Sequence, residues 1–367
     1  MKKTRTKVFM AMSGGVDSSV SAALLKKQGY DVTGVFIKVW QPDFLECTRG
    51  DDKKEAMRAA AHVGIPFRVF DFEKEYKKEV IDYMISEYKA GRTPNPDVMC
   101  NKEIKFGVFL KKALGMGADM IATGHYARTQ NAKRKTQNIK LLAGKDKNKD
   151  QSYFLWTLAQ GQLKHVLFPV GDYEKPKVRK LAKKFGLPNA ERQESQGLCF
   201  VGQLDMKEFL KHYMRKKTGD VLNEKGDVIG RHDGAMFLTI GQRHGFTVTK
   251  KTPRDKPLYV VAKDVKKNTI TVSPHGRGEH GLVKEVTLQG VNWISGTAPR
   301  PSKVYAARTR YRQPLQDVKI KMRNAKFIAV FKKPQRAVSS GQSLVLYDTS
   351  ASLGAGGDEC LGGGIIQ

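Results

Sequence analysis

A loop rich in serine and glycine, set between a short apolar run and a helix, constrains the fold of this chain more than any other feature. The apolar run Val8-Phe-Met-Ala-Met12 ends at Ser13-Gly-Gly-Val-Asp-Ser-Ser19, and Val20, Ala23 and Leu24 follow at the i, i+3, i+4 spacing of a helix. Further strand-like runs occupy 32–40, 67–72 and 118–123, with helix-like stretches at 51–62, 75–90 and 102–114. Strands separated by helices of this length predict an α/β fold with a parallel sheet covered by helices on both faces.

The pattern changes after residue 205. Gly-Asp and Gly-Arg turns separate short strands over 218–234, and residues 318–323 alternate apolar and basic side chains, as a half-buried antiparallel strand does. Runs of similar length lie at 283–294, 303–312, 326–332 and 343–347. We therefore predict an N-terminal nucleotide-binding domain over 1–205, a small central linking domain over 206–280, and a C-terminal antiparallel β-barrel over 281–367. A loop rich in lysine and asparagine is expected at 131–149.

The chain of 367 residues carries a strong positive charge. It has 66 Lys and Arg against 36 Asp and Glu, a formal net charge of +30. Such an excess attracts polyanions, so RNA, DNA or an anionic membrane is indicated as a partner, unless the lysines only solvate helix faces.

No apolar stretch approaches the ~20 residues of a membrane helix. The apolar run behind the basic N-terminal segment is too short for a secretion signal, so we expect a cytoplasmic protein.

The serine–glycine loop has the chemistry of a phosphate site. Gly14 and Gly15 allow backbone N–H groups to approach a phosphate, the serines add hydroxyl donors, and the helix adds its dipole. The lysine of a Walker loop is missing. A tight strand–helix turn would explain the glycines alone, but the full string SGGVDSS resembles the PP-loop of ATP pyrophosphatases. Those enzymes cleave ATP between its α- and β-phosphates and adenylate an oxygen, which implies that Asp17 helps to hold Mg²⁺ or to orient phosphates.

The cysteines are few and scattered. They form no CxxC pair, which argues against a zinc ribbon and against a secreted disulfide scaffold, and favours a reducing compartment. Cys199 lies on a loop between Gly197 and Gly202, where a thiol can be exposed and mobile, as a sulfur carrier must be. A structural role is the alternative for Cys199, and it is the role that we expect for Cys47 and Cys360.

Cys100 lies between a proline-rich loop and a basic helix. We expect Pro94 and Pro96 to exclude a helix before it, so that Cys100 falls at or near a helix N-terminus. The helix dipole and the following lysines, Lys102 and Lys105, favour a thiolate over a thiol. The alternative is a small buried apolar side chain.

These motifs together resemble the bacterial tRNA-specific 2-thiouridylase (MnmA/TrmU) family, and the resemblance extends over nearly the whole chain. The matching segments are SGGVDSSVSA at the start, Arg92-Thr-Pro-Asn-Pro-Asp-Val-Met-Cys-Asn-Lys102, Ala122-Thr-Gly-His-Tyr-Ala-Arg128, Lys149-Asp-Gln-Ser-Tyr-Phe-Leu155, the Cys199 loop, Thr239-Ile-Gly-Gln-Arg243 and Glu359-Cys-Leu-Gly-Gly-Gly-Ile-Ile366. This resemblance implies an N-terminal PP-loop domain like that of the adenine nucleotide α-hydrolases. Ile37, the pair Phe237-Leu238 and the pair Ser339-Ser340 depart from the family's usual residues, at positions away from the chemistry.

The resemblance also implies roles for particular residues. Cys199 would carry a persulfide and Cys100 would be its catalytic partner. The residues implied to bind ATP are Ala11, Met12, Ser13, Gly14, Gly15, Val16, Asp17, Ser18, Ile37 and Gly124. The target uridine would contact Asn95, Pro96 and Asp97. His125 would lie at the site entrance against tRNA, and the other implied tRNA contacts are Lys149, Asp150, Gln151, Arg310, Tyr311 and Gln342.

The activity implied by the resemblance is ATP-dependent 2-thiolation of the wobble uridine (U34) of tRNA. ATP, with Mg²⁺ accompanying it, would activate the base, and no metal site built from protein ligands alone is expected. The implied partners are tRNA and a persulfide donor, either a cysteine desulfurase or a sulfur-relay protein, with no membrane. Two alternatives remain at this point. One is another PP-loop ligase that needs no cysteine pair, and the other is a non-catalytic RNA-binding protein that uses the barrel alone.

Overall fold

A computed structural model describes residues 5–44, 49–130, 138–193, 206–249, 256–274, 282–350 and 357–367. Its first seven strands are β1 (Lys7–Ala11), β2 (Asp31–Lys38), β3 (Phe67–Asp71), β4 (Met120–Ala122), β5 (Ala127–Gln130), β6 (Lys140–Ala143) and β7 (Val166–Leu167). Five of them form a sheet in the order β3-β2-β1-β4-β7, in which every neighbouring pair is parallel. The parallel α/β sheet predicted from the sequence is confirmed.

Helices cover both faces of this sheet. Val8 and Met10 of β1 point to one face, where they pack with alanines of the helix Arg49–Val63, whereas Phe9 points to the other. The helical segments are Val16–Lys27, Arg49–Val63, Glu73–Tyr76, Lys77–Asp82, Tyr83–Lys89, Pro96–Met99, Cys100–Val108, Phe109–Gly115, Ser152–Leu155, Gln160–Leu163, Lys175–Lys184, Met206–Lys211 and Ala235–Phe237. Lys77–Asp82 and Cys100–Val108 have the wider i→i+5 hydrogen bonding of a π-helix.

The expectation that Pro96 excludes a helix is wrong. The helix that carries Cys100 begins at Pro96, and Asn95 caps it, because the Asn95 Oδ1 accepts a hydrogen bond from the Val98 N–H at 3.3 Å. Proline is favoured at the first helical position, where its missing N–H has no partner to lose. Cys100 therefore lies at the end of the first helical turn.

The central part of the chain is a small sheet of five strands. They are β8 (Gly219–Leu222), β9 (Val228–His232), β10 (Phe246–Val248), β11 (Tyr259–Asp264) and β12 (Thr269–Ser273), in the order β10-β9-β8-β12-β11. The β8–β12 pair is parallel and the other pairs are antiparallel. Val221, Val260 and Ile270 lie in its core.

The C-terminal part is a closed antiparallel barrel, as predicted. Its strands are β13 (Val283–Trp293), β14 (Tyr305–Arg308), β15 (Gln316–Arg323), β16 (Lys326–Gln335), β17 (Ser343–Asp348) and β18 (Glu359–Ile366), and β13 pairs with β18 to close it. The β5–β6 hairpin extends the same sheet, since Leu142 of β6 pairs with Glu359 of β18. The loop expected over 131–149 therefore contains a strand, because Leu141 and Leu142 are buried against the barrel.

Strand β18 was not predicted, because its glycine run is atypical of strands. The neighbouring strands approach so closely there that a Cβ at Gly362 would overlap the Asn292 carbonyl oxygen, and one at Gly363 would overlap that of Leu344. Glycine is thus required for the barrel to close.

Among the described residues, no helix has both the length and the apolar character needed to cross a membrane.

Candidate active site

The serine–glycine loop lies at the carboxyl end of β1, where it turns into the helix Val16–Lys27. Gly14 has a φ of +79°, and a Cβ there would overlap the Asp52 carbonyl oxygen. The Ser18 hydroxyl donates to the Gly15 carbonyl at 3.0 Å and lies 3.4 Å from the Ser13 hydroxyl. Gly15, the N-cap residue of this helix, makes no side-chain hydrogen bond to it. The first N–H groups of a helix have no partner within the helix, so those at this end are left without a side-chain cap. This is the geometry that binds a phosphate.

Asp17, in the first turn of this helix, has two partners that the sequence did not indicate. The Lys175 ammonium lies 2.7 Å from Asp17 Oδ1 and 2.8 Å from Oδ2. The Tyr126 hydroxyl donates to Asp17 Oδ1 at 2.8 Å. Tyr126 is fixed in turn, because its N–H donates to the Gln151 side-chain oxygen at 3.0 Å. Lys175 could not be singled out from the sequence, since it is one of several lysines in a basic helix.

The back of the loop is held by residues near position 190. Asn189 donates to the Gly14 carbonyl at 2.8 Å and to the Ser19 hydroxyl at 2.9 Å. Arg192 also donates to the Gly14 carbonyl, at 3.1 Å, and forms an ion pair with Asp52. These hydrogen bonds restrict the movement of the loop.

Gly124 follows β4, the neighbour of β1, and packs against the start of the same helix. A Cβ at Gly124 would lie 2.9 Å from the Ser18 nitrogen. Only glycine allows the two carboxyl-terminal strand ends to approach this closely, at the edge of the sheet where α/β proteins bind ligands. Ile37 of β2 is 1% exposed within the core. ATP contacts from Gly124 and Ile37 remain predictions.

His125 is buried next to Gly124. Its Nδ1 lies 2.8 Å from the Thr123 hydroxyl, and its Nε2 lies 3.5 Å from the Lys105 ammonium. Burial, and secondarily the charge of Lys105, lowers the pKa of His125 well below its usual range, so the ring is neutral. The contact of His125 with tRNA remains a prediction, and its side chain is only 7% exposed.

Lys105, whose ammonium lies 3.5 Å from His125, belongs to the helix that carries Cys100. Cys100 begins the π-helical segment that contains Lys105, and its side chain is fully buried in the large core cluster. A thiol in this position reacts only after the surrounding structure opens or a partner approaches it.

Of the other cysteines, Cys199 and Cys47 lie outside the described residues. Burial raises the pKa of the Cys360 thiol, in keeping with the structural role expected for it.

The residues predicted to contact the target base lie directly before Cys100. Asn95, Pro96 and Asp97 are partly exposed at the start of the helix. Tyr153 packs nearby, and its hydroxyl donates to the Ser343 carbonyl of the barrel at 2.9 Å. The segment is thus open on one side and supported by the barrel on the other.

The predicted tRNA contacts at 149–151 differ in their surroundings. Asp150 is buried, and its Oδ1 accepts from the N–H groups of Gly144 and Ser152, both at 3.0 Å. Arg308 of the barrel lies 3.2 Å from its other oxygen. Asp150 therefore joins the N-terminal part to the barrel. Contacts of Lys149, Asp150 and Gln151 with tRNA remain predictions.

Arg310 and Tyr311 were expected on a barrel strand, and this is wrong. β14 ends at Arg308, and both residues lie in the following turn, where Arg312 adopts a φ of +62°. Arg310 donates to the Ile240 carbonyl at 2.7 Å, which ties the barrel to the central sheet. The Tyr311 ring lies 4.5 Å from the Phe154 ring. Their tRNA contacts, and that of Gln342, remain predictions.

Binding of Mg²⁺ together with a nucleotide at this loop remains a prediction. The Asp17 carboxylate is the kind of ligand that Mg²⁺ prefers, and in this structure both of its oxygens contact the Lys175 ammonium. Across the residues that the structure describes, no group of three or more His, Cys, Asp or Glu side chains could hold a metal ion by itself.

Three family models match the chain in order. The tRNA methyl transferase HUP domain matches residues 6–203, the tRNA methyl transferase PRC-barrel domain matches 207–274, and the aminomethyltransferase beta-barrel domain matches 283–366. The first covers more than half of the chain. The parallel sheet with its serine–glycine loop, followed by two β-structures, therefore defines a PP-loop enzyme of the HUP class.

Full-length relatives specify the family. The tRNA-specific 2-thiouridylase MnmA of Geobacillus thermodenitrificans (strain NG80-2) is 46% identical over 99% of this chain and 95% of its own length. MnmA 2 of Geobacillus kaustophilus (strain HTA426) is 45% identical over 99% and 95%, and MnmA of Streptococcus mutans serotype c is 44% identical over 99% and 96%. The chain belongs to the tRNA-specific 2-thiouridylase (MnmA) family, whose members are tRNA sulfurtransferases.

Proposed function

We propose that this protein thiolates the C2 position of the wobble uridine (U34) of tRNA, using ATP to activate the base. The observation that carries the proposal is the chain of contacts between the serine–glycine loop and the helix that carries Cys100. Gly124 contacts the loop, and His125 beside it lies 3.5 Å from Lys105 of the Cys100 helix. The segment Gly124-His125 and Lys105 would therefore connect a nucleotide on the loop with the helix that carries Cys100.

The first step is adenylation. The C2 carbonyl of uridine is a poor electrophile, and its oxygen becomes a good leaving group once it carries AMP. The loop N–H groups and the hydroxyls of Ser13 and Ser18 bind the phosphates, which favours release of pyrophosphate. Asp17 would hold Mg²⁺, which when bound neutralises phosphate charge. Lys175 supplies a second positive charge at the same carboxylate.

The second step transfers sulfur from a persulfide on Cys199. By one route the outer sulfur attacks C2, AMP leaves, and the Cys100 thiolate then attacks the Cys199 sulfur. By the other route Cys100 attacks first and releases hydrosulfide, which displaces AMP. Both routes produce 2-thiouridine and a disulfide between Cys100 and Cys199, which an external thiol must reduce before the next turnover. A persulfide donor, such as a cysteine desulfurase or a sulfur-relay protein, reloads Cys199.

The proposal is tested by nucleoside mass spectrometry of tRNA incubated with the protein, ATP and a persulfide source. The expected products are 2-thiouridine, AMP and pyrophosphate in equal amounts. ADP and phosphate as main products would contradict adenylation. tRNA binding without any ATP-dependent product would instead support a non-catalytic RNA-binding protein.

A further inference from the structure

Thr93 lies where the N-terminal part, the central sheet region and the barrel meet. It is 9% exposed. Its N–H donates to the carbonyl oxygen of Ser340, in the barrel, at 2.8 Å. Its hydroxyl lies 3.1 Å from that of Thr239, in the central part of the chain. A single buried residue of the N-terminal part is thus hydrogen-bonded to both other parts.

The barrel turn fits closely onto this segment. The Gln342 side-chain amide donates to the carbonyl oxygens of Thr93 at 2.9 Å and Pro94 at 3.1 Å. Gly341 has a φ of +90°, and a Cβ there would lie 2.9 Å from the Thr93 carbonyl oxygen. The approach is therefore closer than any residue other than glycine allows without displacement.

The chain between Thr93 and the cysteine helix is stiff. Pro94 and Pro96 have fixed φ angles, and Asn95 between them is extended with its side chain capping the helix. A displacement of Thr93 is therefore carried to Asn95, Pro96 and Cys100 together. On its other side, Arg92 is bound to Glu87 through a hydrogen bond of 2.7 Å from Nε to Oε2.

We propose that Thr93, through its hydrogen bond to Thr239, is a positioning residue for the thiolation reaction. The junction fixes the target-base segment and the Cys100 helix relative to the central sheet and the barrel. The proposal rests on the proposed function, because it assigns Thr93 a part in that reaction. Neither threonine is among the residues that the family resemblance assigns to ATP, tRNA or catalysis.

The test compares Thr93→Val, Thr239→Val and the double variant in steady-state 2-thiouridine formation. Each single variant should lower kcat about 2–10-fold, the range expected for loss of one hydrogen bond, with KM for tRNA and the affinity for ATP unchanged. Both hydroxyls take part in one hydrogen bond, so the two substitutions should not be additive. The kcat of the double variant should be no lower than that of the single variant with the lower kcat. Thr93→Ser and Thr239→Ser keep the hydroxyl and should keep the wild-type kcat.

A matched control and a second variant complete the design. Thr247→Val changes an exposed threonine of β10 in the central sheet and should have no effect. Gly341→Ala should lower kcat further than either valine variant, because its Cβ displaces the Thr93 carbonyl. Unchanged kcat in the valine variants, additive losses, or a loss seen only as a lower unfolding temperature would overturn the positioning role. Failure of the wild-type protein to thiolate tRNA would overturn the proposed function instead.

Discussion

The ammonium of Lys175 contacts both carboxylate oxygens of Asp17, at 2.7 and 2.8 Å, across two helices that are far apart in sequence. The Lys175 side chain is 11% exposed and that of Asp17 is 31% exposed, so the pair is partly shielded from water. Such shielding makes an ion pair more sensitive to removal of one partner than a surface pair is. The ion pair holds Asp17, the acidic residue in the first turn of the helix that follows the serine–glycine loop, in one position.

Lys175→Met should lower the rate of pyrophosphate release about 10-fold or more, since a charged hydrogen bond to Asp17 is lost. Asp17→Ala should abolish the release. Lys177→Met, an exposed change on the same helix, is the control and should leave the rate unchanged. Pyrophosphate release measured in the presence of tRNA gives the comparison, and equal rates for the two lysine variants would contradict the role of Lys175.

His125 should make stability depend on pH. Burial lowers the pKa of His125 in the folded state, whereas the unfolded chain binds a proton at about pH 6.5. The free energy of unfolding should therefore be highest above about pH 6.5. It should decrease as the pH falls below that value, by up to about 1.4 kcal/mol per pH unit, because protonation of His125 favours the unfolded chain. Denaturant unfolding at several pH values should show a steeper loss for wild type than for His125→Gln. Parallel curves would mean that His125 becomes protonated in the folded protein.

Gly363→Ala should destabilise the barrel by about 1–3 kcal/mol or more, because its Cβ would overlap the Leu344 carbonyl oxygen. Gly115→Ala is the matched control. Gly115 ends a helix, and a Cβ there meets no atom within 4 Å, so this change should be neutral or stabilising by about 0.4–1 kcal/mol. Chemical denaturation measures both, and equal stabilities would contradict the packing of β18.

The difference between β18 and the earlier strands shows what the sequence could predict. Periodicity was sufficient for β1, β2 and the first helix, since apolar spacing there follows burial directly. It failed at β18, where a glycine run forms a strand only because Asn292 and Leu344 approach it. It also failed at Pro96, where capping by Asn95 decides where the helix begins.

Only some residues of the candidate site could be identified from the sequence. The serine–glycine loop and Cys100 belong to continuous motifs, so they could be identified along the chain. Lys175 and Asn189 reach the loop only through folding, and nothing in their local sequence distinguishes them from neighbouring polar residues. Long-range hydrogen bonds of this kind follow from tertiary structure and not from spacing.

tRNA affinity should fall steeply with salt, by about 0.7–0.9 log units per phosphate contact for each log unit of salt. Arg310→Gln and Tyr311→Ala should weaken tRNA binding and leave ATP binding unchanged, since both residues lie in the barrel turn and not at the phosphate loop. Filter binding over a range of salt concentrations measures this. An affinity for tRNA that does not change with salt would show that the charge of +30 serves only solvation.

The central claim is that Cys199 carries sulfur and Cys100 completes its transfer after the base has been adenylated. The most direct measurement follows persulfide labelling, pyrophosphate release and 2-thiouridine in one single-turnover reaction for each cysteine variant. Cys199→Ser should release pyrophosphate without persulfide or 2-thiouridine, and Cys100→Ser should hold a persulfide on Cys199 yet transfer it poorly. Cys47→Ser and Cys360→Ser should match the wild type. Formation of 2-thiouridine by Cys199→Ser at the wild-type rate would contradict the account.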